Sequence, residues 1–166
     1  MKKKQSVTVV EKGAGAIVSV VGDTYRMAIT GKQTNGDFAL IDMLVPPGGG
    51  PGPHAHPAFH ETFYVQQGEV QINSEEGTYI AKEGTVVHIP KGGMVHSFKN
   101  NTDKLTRLLC IVVPAGLEEF FMEFGKPVAA NTFLPPAMDE QTIKTLEALA
   151  AKHGMQTFPP DYLDKK

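Results

Sequence analysis

Between about residue 7 and residue 113, apolar and β-branched residues fall in short runs broken by Gly, Pro, Asn and Asp. "AIVSVVG", "TYRMAI", "FALIDMLV", "TFYVQQG", "EVQINSE", "GTYIA", "TVVHIP", "HSFKN" and "TRLLCIVV" follow one another at intervals of roughly 8–12 residues, the spacing of strands in a sandwich or barrel. Turn-forming residues separate them: Gly68 after "VQQ", Glu75 to Gly77 between "VQIN" and "TYIA", and "NNTD" between Lys99 and Lys104. Each reads as hairpin chemistry. The pattern predicts a β-rich, antiparallel fold with no internal repeat. In "FALIDMLV" the residues Ile41, Met43 and Val45 share one face, but the opposite face is also largely apolar, so parity leaves open which side looks inward.

Beyond Pro114 the period changes. "GLEEFFMEFG" places Leu117, Phe120, Phe121 and Phe124 at i, i+3, i+4 and i+7 and stops at Gly125, which predicts a short helix. Residues 126–137, "KPVAANTFLPPA", carry three prolines and read as an irregular connection. "MDEQTIKTLEALAAKHG" then offers Asp139 as an N-cap and Lys152, His153 and Gly154 as a stop. Its apolar face of Ile143, Leu146 and Leu149 or Ala150 is narrow, so this second helix is expected to pack on the β-body or on another subunit. The expected division is a β-body over 1–113 and a helical extension over 114–166 packed on it.

Composition narrows the function classes. The 166 residues are of single-domain size, and a net charge of −2 gives no electrostatic footprint for nucleic acid. The one basic run, Lys2 to Lys4, reads as a solvated tail. The segment after it has no unbroken apolar region of the secretory kind, and no stretch approaches the length of a bilayer span. The single cysteine, Cys110 in "LLCIVV", reads as a small buried hydrophobe. A cytoplasmic protein that engages neither membrane nor nucleic acid is the expectation.

Candidate chemistry gathers in "GGGPGPHAHPAFHETFYVQQG", where three histidines and a glutamate occupy eight positions. His54 and His56, two apart, point to one face of an extended strand. Glu61 follows five residues after His56, and His96 lies 35 residues beyond Glu61, after a glycine-rich turn. In a closed sheet a return strand can pass beside the first, and three imidazoles with one carboxylate suit a divalent first-row transition metal. His60 adjoins Glu61 and by parity points the other way, so it is expected at the rim or as an outer partner of the ligands. His88 reads as an ordinary sheet histidine, and His153 as a cation favoured by a helix C-terminus.

These residues resemble the cupin family. Its first motif is met by Gly48, His54, His56, Glu61 and Gly68, and its second by Gly84, Pro90, Gly92, His96 and Asn100. In the second, three residues instead of two lie between Gly92 and His96, so the turn is one residue longer. The resemblance implies a small antiparallel double-stranded β-helix, the jelly-roll type of barrel. It also implies one divalent transition metal (Fe, Mn, Ni, Co, Cu or Zn) held by His54, His56, Glu61 and His96. Phe63 shares parity with Glu61 and Phe98 with His96, so both should face the interior, and with Met43 they are the candidate substrate-pocket residues.

The proline- and glycine-rich entry, "HETFYVQQGEV" and the helical tail are similar to quercetin dioxygenase-like cupins, which bind an enol or phenol to the metal and insert dioxygen with carbon–carbon cleavage. That similarity implies a dioxygenase of a small aromatic or enolic substrate, with Glu61 both ligand and general base. Metal-dependent isomerase or lyase chemistry, and small-molecule binding without turnover, are the alternatives. Family members commonly pair sheets, so the resemblance also implies a homodimer.

Overall fold

All nine apolar runs form strands in the computed structural model, which describes residues 6–136 and 138–165. The tail at Lys2 to Lys4 lies outside the described residues, as does position 137 of the proline-rich connection. In chain order the elements are β1 (Ile17–Val20), β2 (Asp23–Ile29), α1 (Gly31–Thr34), β3 (Ala39–Val45), β4 (His54–Ala55), β5 (His60–Gln67), β6 (Glu69–Ser74), β7 (Gly77–Lys82), β8 (Val86–Ile89), β9 (His96–Lys99), β10 (Thr106–Val113), α2 (Leu117–Phe124), β11 (Lys126–Pro127), α3 (Glu140–Lys152) and β12 (Gln156–Thr157). A 3-10 turn at Tyr162–Lys165 follows. The strands form two antiparallel sheets, in the order β11-β1-β2-β3-β10-β5-β8 and β12-β4-β9-β6-β7. Their inner faces share one core, in which Phe63 of the first sheet meets Phe98 of the second edge to face at 5.3 Å.

Parity along the strands sets which residues fill that core. Ile41, Met43 and Val45 are fully buried on β3. Asp42, between them, accepts from Arg26 on β2 and Arg107 on β10, and this outward ion network marks the opposite face of the sheet. The question left open by the apolar character of "FALIDMLV" is thus decided by its one acidic residue. On β10, Thr106, Leu108, Cys110 and Val112 alternate inward in the same way.

Two of the three expected hairpins are instead corners. Only Glu75 to Gly77 closes a hairpin, pairing Ser74 with Gly77 between β6 and β7. Gly68 joins β5 to β6, which belong to different sheets, and "NNTD" joins β9 to β10, which also do. At Gly68 the backbone turns with φ +78°, and a Cβ there would lie 2.7 Å from Thr106 Oγ1. The requirement is a left-handed conformation in a tight space, which glycine meets whether the chain folds back or changes sheet.

Asn100 holds the other corner. Fully buried, it donates through Nδ2 to the carbonyls of Val45 (2.9 Å) and Lys104 (2.7 Å), and its Oδ1 accepts from the backbone and hydroxyl of Thr102. Its backbone exchanges two bonds with the glycine loop, Gly48 N–H to Asn100 O and Asn100 N–H to Gly49 O. The loop that leads to His54 is thereby fixed to the end of the strand that begins with His96.

The chain after residue 113 departs from a helices-only expectation. α2 and α3 form where the periodicity places them, and Asp139 caps α3 by accepting from the Thr142 N–H at 2.8 Å. The connection also supplies β11, paired with β1, and the segment after α3 supplies β12, paired with β4. Two-residue strands have no period for a sequence pattern to show. Leu117, Phe120 and Phe121 of α2 and Ala150 of α3 enter the same core as the sheets. Among the described residues, no helix is long and apolar enough to cross a membrane.

Asn100→Ala removes the donor to two carbonyls and both of the acceptor bonds to Thr102, so it should cost about 2–4 kcal/mol of stability. Asn101→Ala, which loses one exposed bond to Gln71, should stay within about 0.5 kcal/mol. Denaturant midpoints of the two variants check this, and equal shifts would contradict the role of Asn100.

Candidate metal centre

Three strands and the residue after the first of them deliver four side chains to one point. His54 opens β4 and pairs with His96 at the start of β9, so the sheet itself sets the two imidazoles side by side, with ring centroids 4.4 Å apart. His56 follows β4 directly, and Glu61 is the second residue of β5 in the facing sheet. One donor atom from each of His54, His56, Glu61 and His96 lies within 4.8 Å of all the others. His56 Nε2 is 3.0 Å and His96 Nε2 3.3 Å from Glu61 Oε2, and the two Nε2 atoms are 3.1 Å apart.

The far nitrogens explain why these rings face inward by Nε2. Nδ1 of His54 lies 2.9 Å from the Gly52 carbonyl, Nδ1 of His56 3.1 Å from that of Phe59, and Nδ1 of His96 3.0 Å from that of Met94. A carbonyl only accepts, so each Nδ1 carries the proton and each neutral ring presents a bare Nε2 lone pair to the centre. Phe59 also stacks on His56 at a 4.4 Å centroid distance, which limits ring rotation. The longer turn before His96 is absorbed by Gly92 and Gly93, both with positive φ, and the Gly92 N–H donates to the Pro57 carbonyl at 3.0 Å. The extra residue therefore leaves His96 beside His54.

Charge is distributed accordingly. Burial alone would push the Glu61 carboxyl up, but His56 and His96, whose Nε2 atoms donate to it when these rings are protonated, hold it well below the usual carboxylate range. Burial works against a charged His56, yet the bond to Glu61 and its negative charge raise the affinity of this ring for a proton. His54 is pushed down to about 4 by burial and then by the neighbouring His96. Cys110, fully buried on β10, donates its thiol to Glu61 Oε1 at 3.4 Å. Burial and the negative Glu61 push that thiol well up, which keeps it protonated as a donor to the carboxylate.

This donor set fits a divalent cation. His56 Nε2, His96 Nε2 and the ionised Glu61 Oε2 lie 3.0–3.3 Å from one another with His54 within 4.8 Å, and with neutral rings their lone pairs repel unless a positive charge sits among them.

The site borders a cavity of about 450 Å³. His54 and Glu61 reach its wall, Met43 and Phe98 line it, and Leu117, Phe120 and Phe121 of α2 with Ile143 and Leu146 of α3 cover its apolar side. Parity placed Phe98 inward and left the face of Met43 open; both lie on the cavity wall. Phe63 is not on the wall: it is 1% exposed and packs behind Phe98, because its side chain points into the core between the sheets. His60 faces away from Glu61 as its parity predicts, stacks on His88 at 5.4 Å and accepts from the Lys91 N–H instead of serving as an outer partner of the ligands. Strand alternation beside Glu61 forces that outcome. Sequence reasoning passed over Asp23 and Tyr25 on β2, which also line the cavity, and the thiol bond of Cys110. Their spacing of two on an apolar strand signals a shared face but not what that face meets.

Residues 41–112 match the family model described as cupin domain. The chain is 26% identical over 147 residues to the quercetin 2,3-dioxygenase of Bacillus subtilis (strain 168), covering 87% of this chain and 43% of that protein. It is 26% identical over 149 residues to the quercetin 2,3-dioxygenase of Aspergillus japonicus, covering 79% and 42%. It thus spans less than half the length of these curated relatives. Among solved structures it is similar to ectoine synthase from P. lautus, with a TM-score of 0.57 at 20% identity over 80% of this chain and 95% of that one. A predicted oxalate decarboxylase from Thermotoga maritima superposes with a TM-score of 0.57 at 19% identity over 66% and 99%. These two structures bear on the fold alone.

Alanine at His54, His56 or His96 should lower metal affinity by more than the ~10–100-fold typical of an outer partner, whereas His60→Ala should leave it within about twofold. Metal per chain after dialysis, measured by plasma mass spectrometry, checks this; equal losses at His60 and His96 would contradict the geometry. Acidification should also release metal. His56 takes a proton more readily than an ordinary imidazole, so binding begins to weaken above the ordinary histidine pKa of about 6.5, and metal content unchanged from about pH 8 to about pH 5 would count against the ligand set.

Proposed function

Since the chain belongs to the cupin superfamily and is similar to its quercetin dioxygenase-like members, we propose that it is a mononuclear metal-dependent dioxygenase of a small aromatic or enolic molecule. The observation that carries this reading is the placement of His54 and Glu61, two of four convergent metal-binding side chains, on the wall of an otherwise largely apolar cavity of small-molecule size. When bound, the divalent metal supplies a Lewis-acid centre and, if redox-active, a site at which dioxygen reacts.

The residues of the chain set up the rest. His54, His56 and His96, tied through Nδ1 to backbone carbonyls, hold their positions without reorganising when substrate enters. Glu61, an ionised carboxylate on the cavity wall, accepts a proton from a substrate hydroxyl, while the Cys110 thiol steadies Oε1 during that transfer. Phe98 and Met43 form the floor against which a planar ring would rest, and Phe63 backs Phe98 from the core. Phe120, Phe121, Ile143 and Leu146 keep water from the apolar side. A homodimer belongs to the same reading: the outermost strands β7 and β8 expose Tyr79, Ile80 and Val86.

The test is dioxygen uptake with quercetin by protein loaded in turn with iron, manganese, cobalt, nickel or copper. Uptake with at least one of these metals and none with zinc is expected. Glu61→Gln should reduce the rate at least ~100-fold while the variant still binds metal. Anaerobic turnover of an enolic substrate by the zinc form would replace this reading with isomerase or lyase chemistry, and ligand binding without turnover under any metal would replace it with a binding protein.

A further inference from the structure

A second polar group faces the same cavity. Asp23 and Tyr25 lie two apart on β2, both point inward, and they are 2% and 3% exposed. Tyr25 Oη donates to Asp23 Oδ2 at 2.8 Å, and the Gly50 N–H donates to Oδ1 at 3.2 Å. Both partners are neutral, and among the described residues no lysine, arginine or histidine pairs with this carboxyl. Burial pushes it up to about 7, against the smaller lowering by Tyr25 and Gly50. The surrounding wall is apolar and aromatic: Met43, Phe98, Phe120, Phe121 and Phe158.

The simplest role for Asp23 is to anchor the glycine loop, since a Cβ on Gly49 would clash with Asp23 Oδ1 and Gly50 bonds to the same oxygen. That role needs one acceptor for one N–H, which a neutral asparagine carbonyl supplies. A carboxyl on an apolar cavity wall with no cation beside it carries a desolvation cost that anchoring does not require. It also offers about four acceptor positions, of which Tyr25 and Gly50 use two. What remains is hydrogen-bonding capacity directed at whatever fills the cavity, and a carboxyl close to neutrality can both accept from and donate to a hydroxyl.

We propose that Asp23, oriented by Tyr25, is a second hydrogen-bonding pole of this pocket and takes a substrate hydroxyl other than the one presented to Glu61 and the metal ligands. The substrate class is then a planar aromatic molecule with an enol or phenol at the metal end and at least one further hydroxyl. The proposal rests on the dioxygenase reading for the binding of the first hydroxyl.

Calorimetric titration of zinc-loaded protein, in which no turnover is expected, tests it with two probes. Quercetin carries several ring hydroxyls; 3-hydroxyflavone keeps the chelating hydroxyketone and lacks the others. The wild type should bind quercetin at least about tenfold more tightly. Asp23→Asn, which keeps an acceptor for Gly50, should abolish that preference while 3-hydroxyflavone affinity stays within about twofold. Tyr25→Phe, which keeps the ring packed on Phe121 at 4.8 Å, should reduce the preference in part.

Equal losses for both probes in Asp23→Asn would make Asp23 a loop anchor and overturn the proposal, as would no loss for either. Quercetin binding that depends on Asp23 without any binding of 3-hydroxyflavone would uphold this pole and remove the metal-end contact. Failure of both probes to bind the wild type would overturn the substrate class, whereas the dioxygenase reading is decided separately by oxygen uptake.

Discussion

Three imidazole lone pairs and a carboxylate oxygen are brought together more closely than their own charge distribution favours. Every other feature of the site follows from how that crowding is maintained. His56 Nε2 and His96 Nε2 stand 3.1 Å apart with Glu61 Oε2 beside both, an arrangement that, with neutral rings, a cation at its centre stabilises and electrostatics otherwise opposes. The restraint is local in each case: a backbone carbonyl fixes the far nitrogen of every ring, so rotamer freedom is removed before any metal arrives. A metal held here would therefore be coupled to folding through the same few hydrogen bonds.

The fold supplies the convergence by joining its sheets at corners. His54 and His96 are neighbours because β4 and β9 pair, and Glu61 meets them from the opposite sheet. Asn100 ties the loop before the first histidines to the strand of the last one, so one buried amide transmits the position of each half of the site to the other. The C-terminal helices then convert an open centre into a covered one: aromatic residues of α2 and aliphatic residues of α3 stand over a cavity into which the same centre opens. Asp23 and Tyr25 give that cavity a second polar feature, and a pocket with two separated poles and an apolar middle selects for ligands of matching pattern.

Much of this was legible in the residues. Ligand spacing in "HAHPAFHE" and the return to His96 carried the site, because a side-chain period of two and a required set of donors leave few arrangements. The nine strands and two main helices followed from periodicity. What stayed hidden has physical reasons. Gly68 meets the same conformational demand in a hairpin and in a change of sheet, so the glycine alone did not separate them. Met43 lay in a strand apolar on both faces, and the informative residue was Asp42, whose arginine partners sit on neighbouring strands. β11 and β12 are two residues long and are held by pairing with distant partners, which no local pattern reports. Phe63 and Phe98 share inward parity, but which of the two reaches the cavity depends on their packing against each other.

His54, His56, His96 and Glu61 stand or fall together as the ligands of one metal ion, and X-ray absorption at the metal edge of the loaded protein examines that assignment most directly. The expected first shell is nitrogen and oxygen alone at about 2.0–2.2 Å, with the outer-shell scattering of three imidazoles. A sulfur scatterer at about 2.3 Å, which would make Cys110 a ligand, or the signature of fewer than three imidazoles, would contradict it.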